Sequence, residues 1–325
     1  MGILAIFLFS LGLGTVSLSA QEFKKAFFSP NSENLASTLI WNVRMPRFVL
    51  AMFAGGVLSL AGQGMQFLVR NPLADPYTMG TASGASLGVN LALSGWIPGI
   101  LSTWFLVPFW AFSGALTATV LVLALSAKRG GTDPVRFVLT GVAVSMLTNS
   151  ALSLLTYLAA RQSEVRHMLF WAFGNLDKAS WSTLGPVLGM SVIPLILFFV
   201  ARKAWPFLLL GDEKADSLGV STSLLRKTLL VLCSLLTALV VCLAGPLGFV
   251  GLVVPYWIRK WLPLTDAWFW PLTFALGAFF LTTCDFLSRI LFPPYGLPVG
   301  LLTSLVGLPF FLYLLRDSSA RQGQV

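Results

Sequence analysis

Charge is scarce in this chain of 325 residues: Asp, Glu, Lys and Arg make up only 10%, and the acids number 12. A soluble domain carries about 25% charged residues, so an aqueous surface over most of the molecule is excluded. Histidine is scarcer still. His167 is the only one, which removes a histidine cluster for zinc or haem ligation. No glycine-rich pattern ending in Gly-Lys-Ser/Thr occurs, which removes a nucleotide-hydrolysing P-loop. The three cysteines, Cys233, Cys242 and Cys284, lie in apolar segments without metal-ligand spacing and read as small core residues. No motif places a nucleophile beside His167, so neither an active site nor a resident cofactor is encoded.

What is abundant is apolar length. Hydrophobic residues make up 56%, and charge-free runs such as 102–127, 137–160, 179–201 and 228–258 recur along the chain. Each can span a bilayer, whose core needs about 20 helical residues. Transmembrane strands would alternate apolar and polar residues over about ten positions, whereas these runs are apolar on every side. The fold class is therefore all-α, a polytopic membrane protein. Gly/Pro punctuation divides it into ten candidate spans, about 3–20, 47–68, 78–95, 104–126, 136–158, 182–201, 228–246, 247–258, 268–288 and 298–315. The first resembles a signal peptide, but no positive residue precedes its apolar core, so it reads as a membrane helix. The stretch 228–258 is too long for one helix and short for two. Gly245, Pro246, Gly248, Gly251 and Pro255 interrupt it, which points to a broken or re-entrant helix buried in protein.

The 21 basic residues produce a formal charge of +9, yet they are dispersed between spans and form no block that would bind nucleic acid. They report topology instead. One set of loops and ends carries 13 of them and the other 8, which places both termini in the cytoplasm by the positive-inside rule. The chain is one transmembrane domain over 1–325, with a polar cytoplasmic loop at about 205–227 and no soluble domain between spans.

Ion-coupled carriers hold ionisable groups deep in their helices, and these spans have almost none. The nearest is Asp285, four residues before Arg289, which is the spacing of a structural ion pair. Energy must then come from elsewhere, leaving passive conduction or a separate motor that docks on a cytoplasmic loop. In the loop at 205–227, Leu210-Gly211-Asp212-Glu213-Lys214-Ala215-Asp216-Ser217-Leu218-Gly219-Val220 reads as a short amphipathic helix ended by Gly219, with Leu210, Ala215 and Leu218 on one face. From pattern alone, an ordinary solvated connector is the alternative.

Several motifs in order resemble the FecCD family of ABC importer permeases. They are Arg44-Met45-Pro46-Arg47, then Gly55, Gly62 and Gln66, then Asn71-Pro72-Leu73-Ala74-Asp75-Pro76, Gly80 and Gly84-Ala85. They continue with Leu139-Thr140-Gly141, Trp171 and Gly174, the loop around Gly219, and Ala244-Gly245-Pro246-Leu247-Gly248-Phe249-Val250-Gly251 through Pro255 to Arg259. Asp285, Leu297-Pro298-Val299-Gly300 and Gly307-Leu308-Pro309 complete the set, over about 41–315. Two positions depart from the family pattern. Tyr256 stands where members usually have histidine, and Gly130-Gly131-Thr132-Asp133-Pro134 differs from common members.

The resemblance implies a homodimeric permease in the bacterial inner membrane, with two cytoplasmic ABC ATPases beneath and a substrate-binding protein above. It implies that Arg44, Arg47 and Arg289 face outward and dock that protein, and that Leu210, Gly211, Asp212, Glu213, Ala215, Leu218, Gly219 and Val220 couple to the ATPase. A pathway lined mainly by the fifth and tenth spans would expose small or hydroxylated residues such as Ser145, Thr148, Ser304 and Gly307. Gly245, Gly248 and Gly251 would permit close packing or movement of the broken helix. The cargo the resemblance implies is an iron-siderophore, haem or cobalamin. An ion-coupled or passive carrier working without an ATPase is the alternative.

Overall fold

The structure is a computed structural model, which describes residues 19–28, 34–93, 103–126, 134–159, 171–291 and 296–322. The first candidate span falls outside these residues apart from its last two positions, as do His167 and the stretch Gly130 to Asp133.

Every described element is helical. Helix α1, Ala20–Phe28, is short and surface-lying. Helix α2, Leu35–Thr38, runs through a π-helical stretch, Leu39–Arg44, into α3, Met45–Val69. Then come α4, Thr81–Leu93, α5, Thr103–Ser126, α6, Pro134–Ala159, and α7, Trp181–Val200. Two 3-10 turns, Ala201–Lys203 and Trp205–Leu210, precede the six-residue helix α8, Asp212–Ser217. The chain continues as α9, Thr222–Ala244, α10, Val250–Trp261, α11, Phe269–Ile290, and α12, Val299–Gln322. Six of these segments are long and apolar enough to cross a membrane, and Val299–Tyr313 is a shorter apolar helix.

Helix α3 is the hub. Its central window is almost wholly buried, whereas most of α6 and α7 faces outward with Leu147, Tyr157, Ile193 and Val200 exposed. Lipid is as apolar as leucine, so helices in a bilayer associate by close packing rather than by hydrophobic exclusion from water. Glycines supply that closeness. A Cβ on Gly55 would lie 2.2 Å from Gly277 O, and one on Gly62 would lie 2.1 Å from Gly251 O. Helix α3 therefore touches α11 and α10 backbone to backbone, and the Gln66 amide adds a bond to Gly251 O at 3.2 Å. Gly84 and Gly114 join α4 to α5 in the same way.

The stretch 228–258 is broken, as its glycines and proline imply. Helix α9 ends at Ala244, Gly245 turns at φ 68°, and α10 starts after Phe249 at φ 67°. A non-glycine residue there costs about 1–2 kcal/mol, and the Phe249 ring packs directly over Gly307 of α12. Helix α10 has only 12 residues and is buried along its first turns, which spares its open backbone ends from lipid.

Candidate coupling site, outer rim and pathway helices

The segment after α7 is built on an aromatic base. Trp205 is fully buried and its indole N–H donates to Phe198 O at 3.0 Å. Phe198 meets Trp270 edge-on at 5.2 Å, and Trp270 meets Phe67 at 5.5 Å, so α7, α11 and α3 all hold the segment from beneath. Arg70, in the left-handed position that ends α3, donates from Nε to Leu208 O at 2.9 Å. Pattern reading misses Arg70 and Trp205; their only signals are a lone arginine at a span end and a tryptophan beside Pro206.

Helix α8 follows from a sharp turn at Gly211, φ 94°. Its end is a Schellman motif: Val220 N–H donates to Ala215 O at 3.1 Å and Gly219 N–H to Asp216 O at 2.9 Å, with Gly219 at φ 79°. Asp216 then caps α9 by accepting from Thr222 N–H and its hydroxyl. The sequence expectation of one face shared by Leu210, Ala215 and Leu218 is corrected. Ala215 is fully buried against the segment's own turns, while Leu210 and Leu218 are 48% and 62% exposed. Leu210 and Leu218 flank this six-residue helix rather than lying in it, so Ala215 is its inward contact and the leucines stay outside.

At the opposite end, Arg47 joins three elements. Its Nε lies 2.7 Å from Asp285 of α11, and its Nη1 pairs with Asp177 in the loop before α7. Arg289 closes the network on Asp285 at 3.2 Å, the i,i+4 pair read from the sequence. Asp177 carries no sequence signal for this role. These arginines do not stand free on the outer face: Arg44 is buried, and the Arg47 and Arg289 side chains are 13% and 10% exposed. For Arg47 and Arg289 the cause is Asp285, 1% exposed, whose charge needs counter-ions where little water reaches it.

The loop carrying Asp177 is also pinned by backbone. Asn175 N–H donates to Ala244 O at 2.8 Å, and Gly300 N–H donates to Gly174 O at 3.2 Å. A Cβ on Gly300 would meet Phe173 O at 2.0 Å, and one on Gly245 would meet Trp171 O at 2.6 Å. This loop thus sits between the break of α9–α10 and the start of α12.

On the candidate pathway helices, Ser145 bonds its own helix at Gly141 O, while Thr148 donates to Ser83 of α4 at 2.7 Å. Ser304 likewise bonds Gly300 O. Gly248 has only Ser304 Oγ within reach, at 3.7 Å, and Gly251 and Gly307 are packing notches. Tyr256 and Trp257 bracket Phe310 at 5.4 and 5.7 Å, so the residue in the histidine position grips α12 through an aromatic edge. Asn71 to Pro76 is a structural connector: Asn71 accepts from Leu73 N–H, and Asp75 accepts from Tyr77 N–H at 2.8 Å. Burial pushes the Asp75 carboxyl up to about 6. The Tyr77 hydroxyl in turn accepts from Leu247 N–H in the break at 3.0 Å.

A protein-family model, that of the FecCD transport family, matches residues 2–317. The chain belongs to the FecCD transport family. It is a multi-pass membrane protein, the membrane-spanning permease subunit of an ATP-binding cassette importer. It is 37% identical to the hemin transport system permease protein of Yersinia pestis, over 99% of this chain and 97% of that one. It is 33% identical to the iron(3+)-hydroxamate import system permease protein FhuB of Bacillus subtilis, over 94% of this chain and 79% of that one. Among solved structures, an inward-facing metal-chelate type ABC transporter superposes with a TM-score of 0.84 at 25% identity, covering 97% of this chain and 96% of that chain.

Proposed function

We propose that two copies of this chain enclose a pathway for an iron chelate, of haem or ferric siderophore type. Separate cytoplasmic ATPases grip the segment Leu210 to Val220, and a substrate-binding protein delivers the cargo from outside. The observation that carries this reading is the α8 turn: a helix capped by Gly219, seated on buried Trp205 and Ala215, that offers Leu210 and Leu218 to an aqueous partner. A connector with no partner has no reason to combine a rigid base with exposed leucines. Asp212, Glu213, Gly211 and Val220 belong to the same docking element. The bacterial inner membrane, with both termini cytoplasmic, is the location that places this turn beside the ATPase.

Supporting a paired assembly, α6 leaves Leu139, Met146, Leu147 and Leu154 exposed, and α12 leaves Leu305, Leu308 and Leu312 exposed. At the outer rim, Arg44, Arg47 and Arg289 would meet acidic residues of the binding protein by exchanging the solvent-exposed partner Asp177, while Asp285 keeps its charge balanced. The iron-chelate class is favoured by relatives named for hemin, iron(3+)-hydroxamate and Fe(3+)-citrate, and cobalamin, for which a 34% identical relative is named, is the second reading.

The test is uptake by the subunit reconstituted with its ATPase and binding protein in liposomes. Haem or a ferric hydroxamate should enter only with internal ATP, and cobalamin should not compete. Uphill uptake by the permease alone on an ion gradient would overturn the reading.

A further inference from the structure

The inner end of α7 carries a groove outside both the coupling turn and the candidate pathway helices. It has a volume of about 610 Å³ and is lined by Leu195, Ile196, Phe199, Val200, Arg202 and Lys203. The four apolar residues lie in a span, Trp181–Lys203, and Ile196 and Val200 are 55% and 76% exposed. Ile196 and Val200 therefore face away from the protein, while Leu195 and Phe199, half-buried against the core, form the inner wall of the groove. Immediately below them the 3-10 turn Ala201–Lys203 brings two cations to the membrane boundary. Neither forms a salt bridge among the described residues, although acids are near in sequence at Asp212 and Glu213. Trp205 sets the depth of the turn, because its bond to Phe198 O locks it into the core two residues after Lys203.

We propose that this groove is a binding site for an anionic phospholipid of the inner leaflet. One acyl chain lies along Leu195, Ile196, Phe199 and Val200, and the headgroup phosphate sits between Arg202 and Lys203. The charge complementarity is specific to that leaflet and to that depth: basic side chains at the cytoplasmic ends of helices meet anionic headgroups, whose surface potential attracts them. An aqueous partner could reach the cations but would leave the apolar wall uncovered, whereas a lipid satisfies both halves. Because the turn leads directly into Trp205 and the α8 segment, an occupied site would also hold the start of the coupling element at one depth in the membrane.

The test uses the full chain in nanodiscs of equal phosphatidylglycerol and phosphatidylcholine, with retained lipids read by native mass spectrometry. The wild type should retain phosphatidylglycerol preferentially. Each cation near an anionic headgroup is worth about fivefold in binding, so Arg202→Gln with Lys203→Gln should reduce the preference about twenty-five-fold. Ile196→Trp, which fills the groove and leaves both charges, should lower retention of lipid with either headgroup. Lys260→Gln, which removes an exposed cation at the inner end of α10, should leave the preference unchanged. An unaltered preference in the double variant, or an equal loss in Lys260→Gln, would overturn the proposal. So would a double variant that releases an ATPase partner while retaining lipid as the wild type does. None of these readouts depends on cargo or on transport.

Discussion

Asp285 is the residue on which the outer half of the molecule turns. A carboxylate 1% exposed within a span is stable only while Arg47 and Arg289 remain beside it. Asp285→Ala leaves two arginines in a low-dielectric site with one remaining acid, and breaking a buried pair costs on the order of 3 kcal/mol. A fall in thermal unfolding temperature in detergent, larger than for Asp177→Ala at the exposed end, is the expected result. Asp75 offers a second test, at the inner connector. Its folded-state carboxyl is raised to about 6, so the protonated form is the one that folding favours. Stability linked to this group is therefore fully present below the unfolded carboxylate range near 4 and is lost as pH rises through about 6. Asp75→Asn keeps an acceptor for Tyr77 N–H without the charge. It should raise the unfolding temperature at pH 7.5 and change it little at pH 4.5.

At the scale of elements, the α8 turn depends on Gly219 more than on either leucine. At φ 79° a Cβ is strained, and the two Schellman bonds close only in that conformation. Gly219→Ala should cost about 1 kcal/mol locally and loosen the turn, because nothing packs within 4 Å to hold it otherwise. The expected outcome is normal ATPase activity with reduced uptake, measured as cargo moved per ATP hydrolysed in liposomes. Equal loss of both would place the residue in folding instead. This element and its terminating glycine are legible in the sequence. Which residue faces inward is not, since a six-residue helix has too few repeats for periodicity to separate Ala215 from Leu218. The arginines of the outer rim are legible as positions, but their partners are not: Asp177 lies 130 residues from Arg47, and no local spacing reports such a contact.

For the whole molecule, the proposed pairing of two copies is testable on the exposed face of α6. Met146→Cys, on an exposed face at 65%, should cross-link to its counterpart under mild oxidation and yield a species of twice the mass. The native cysteines are buried and will not compete. A monomer-only result in the assembled transporter would place α6 against lipid. Composition alone decided that the chain is helical and lies in a membrane, because runs of this length without charge have no other stable state. Gly/Pro punctuation decided where the long run breaks, since those residues act on the backbone of their own neighbourhood. Only tertiary structure decided that α3 is the hub, that glycines pair across α3, α10 and α11, and that the buried Asp285 turns Arg47 and Arg289 inward. Those outcomes depend on which helices come together, and in lipid that choice rests on fit between surfaces distant in the chain rather than on hydrophobicity, which nearly every span here shares.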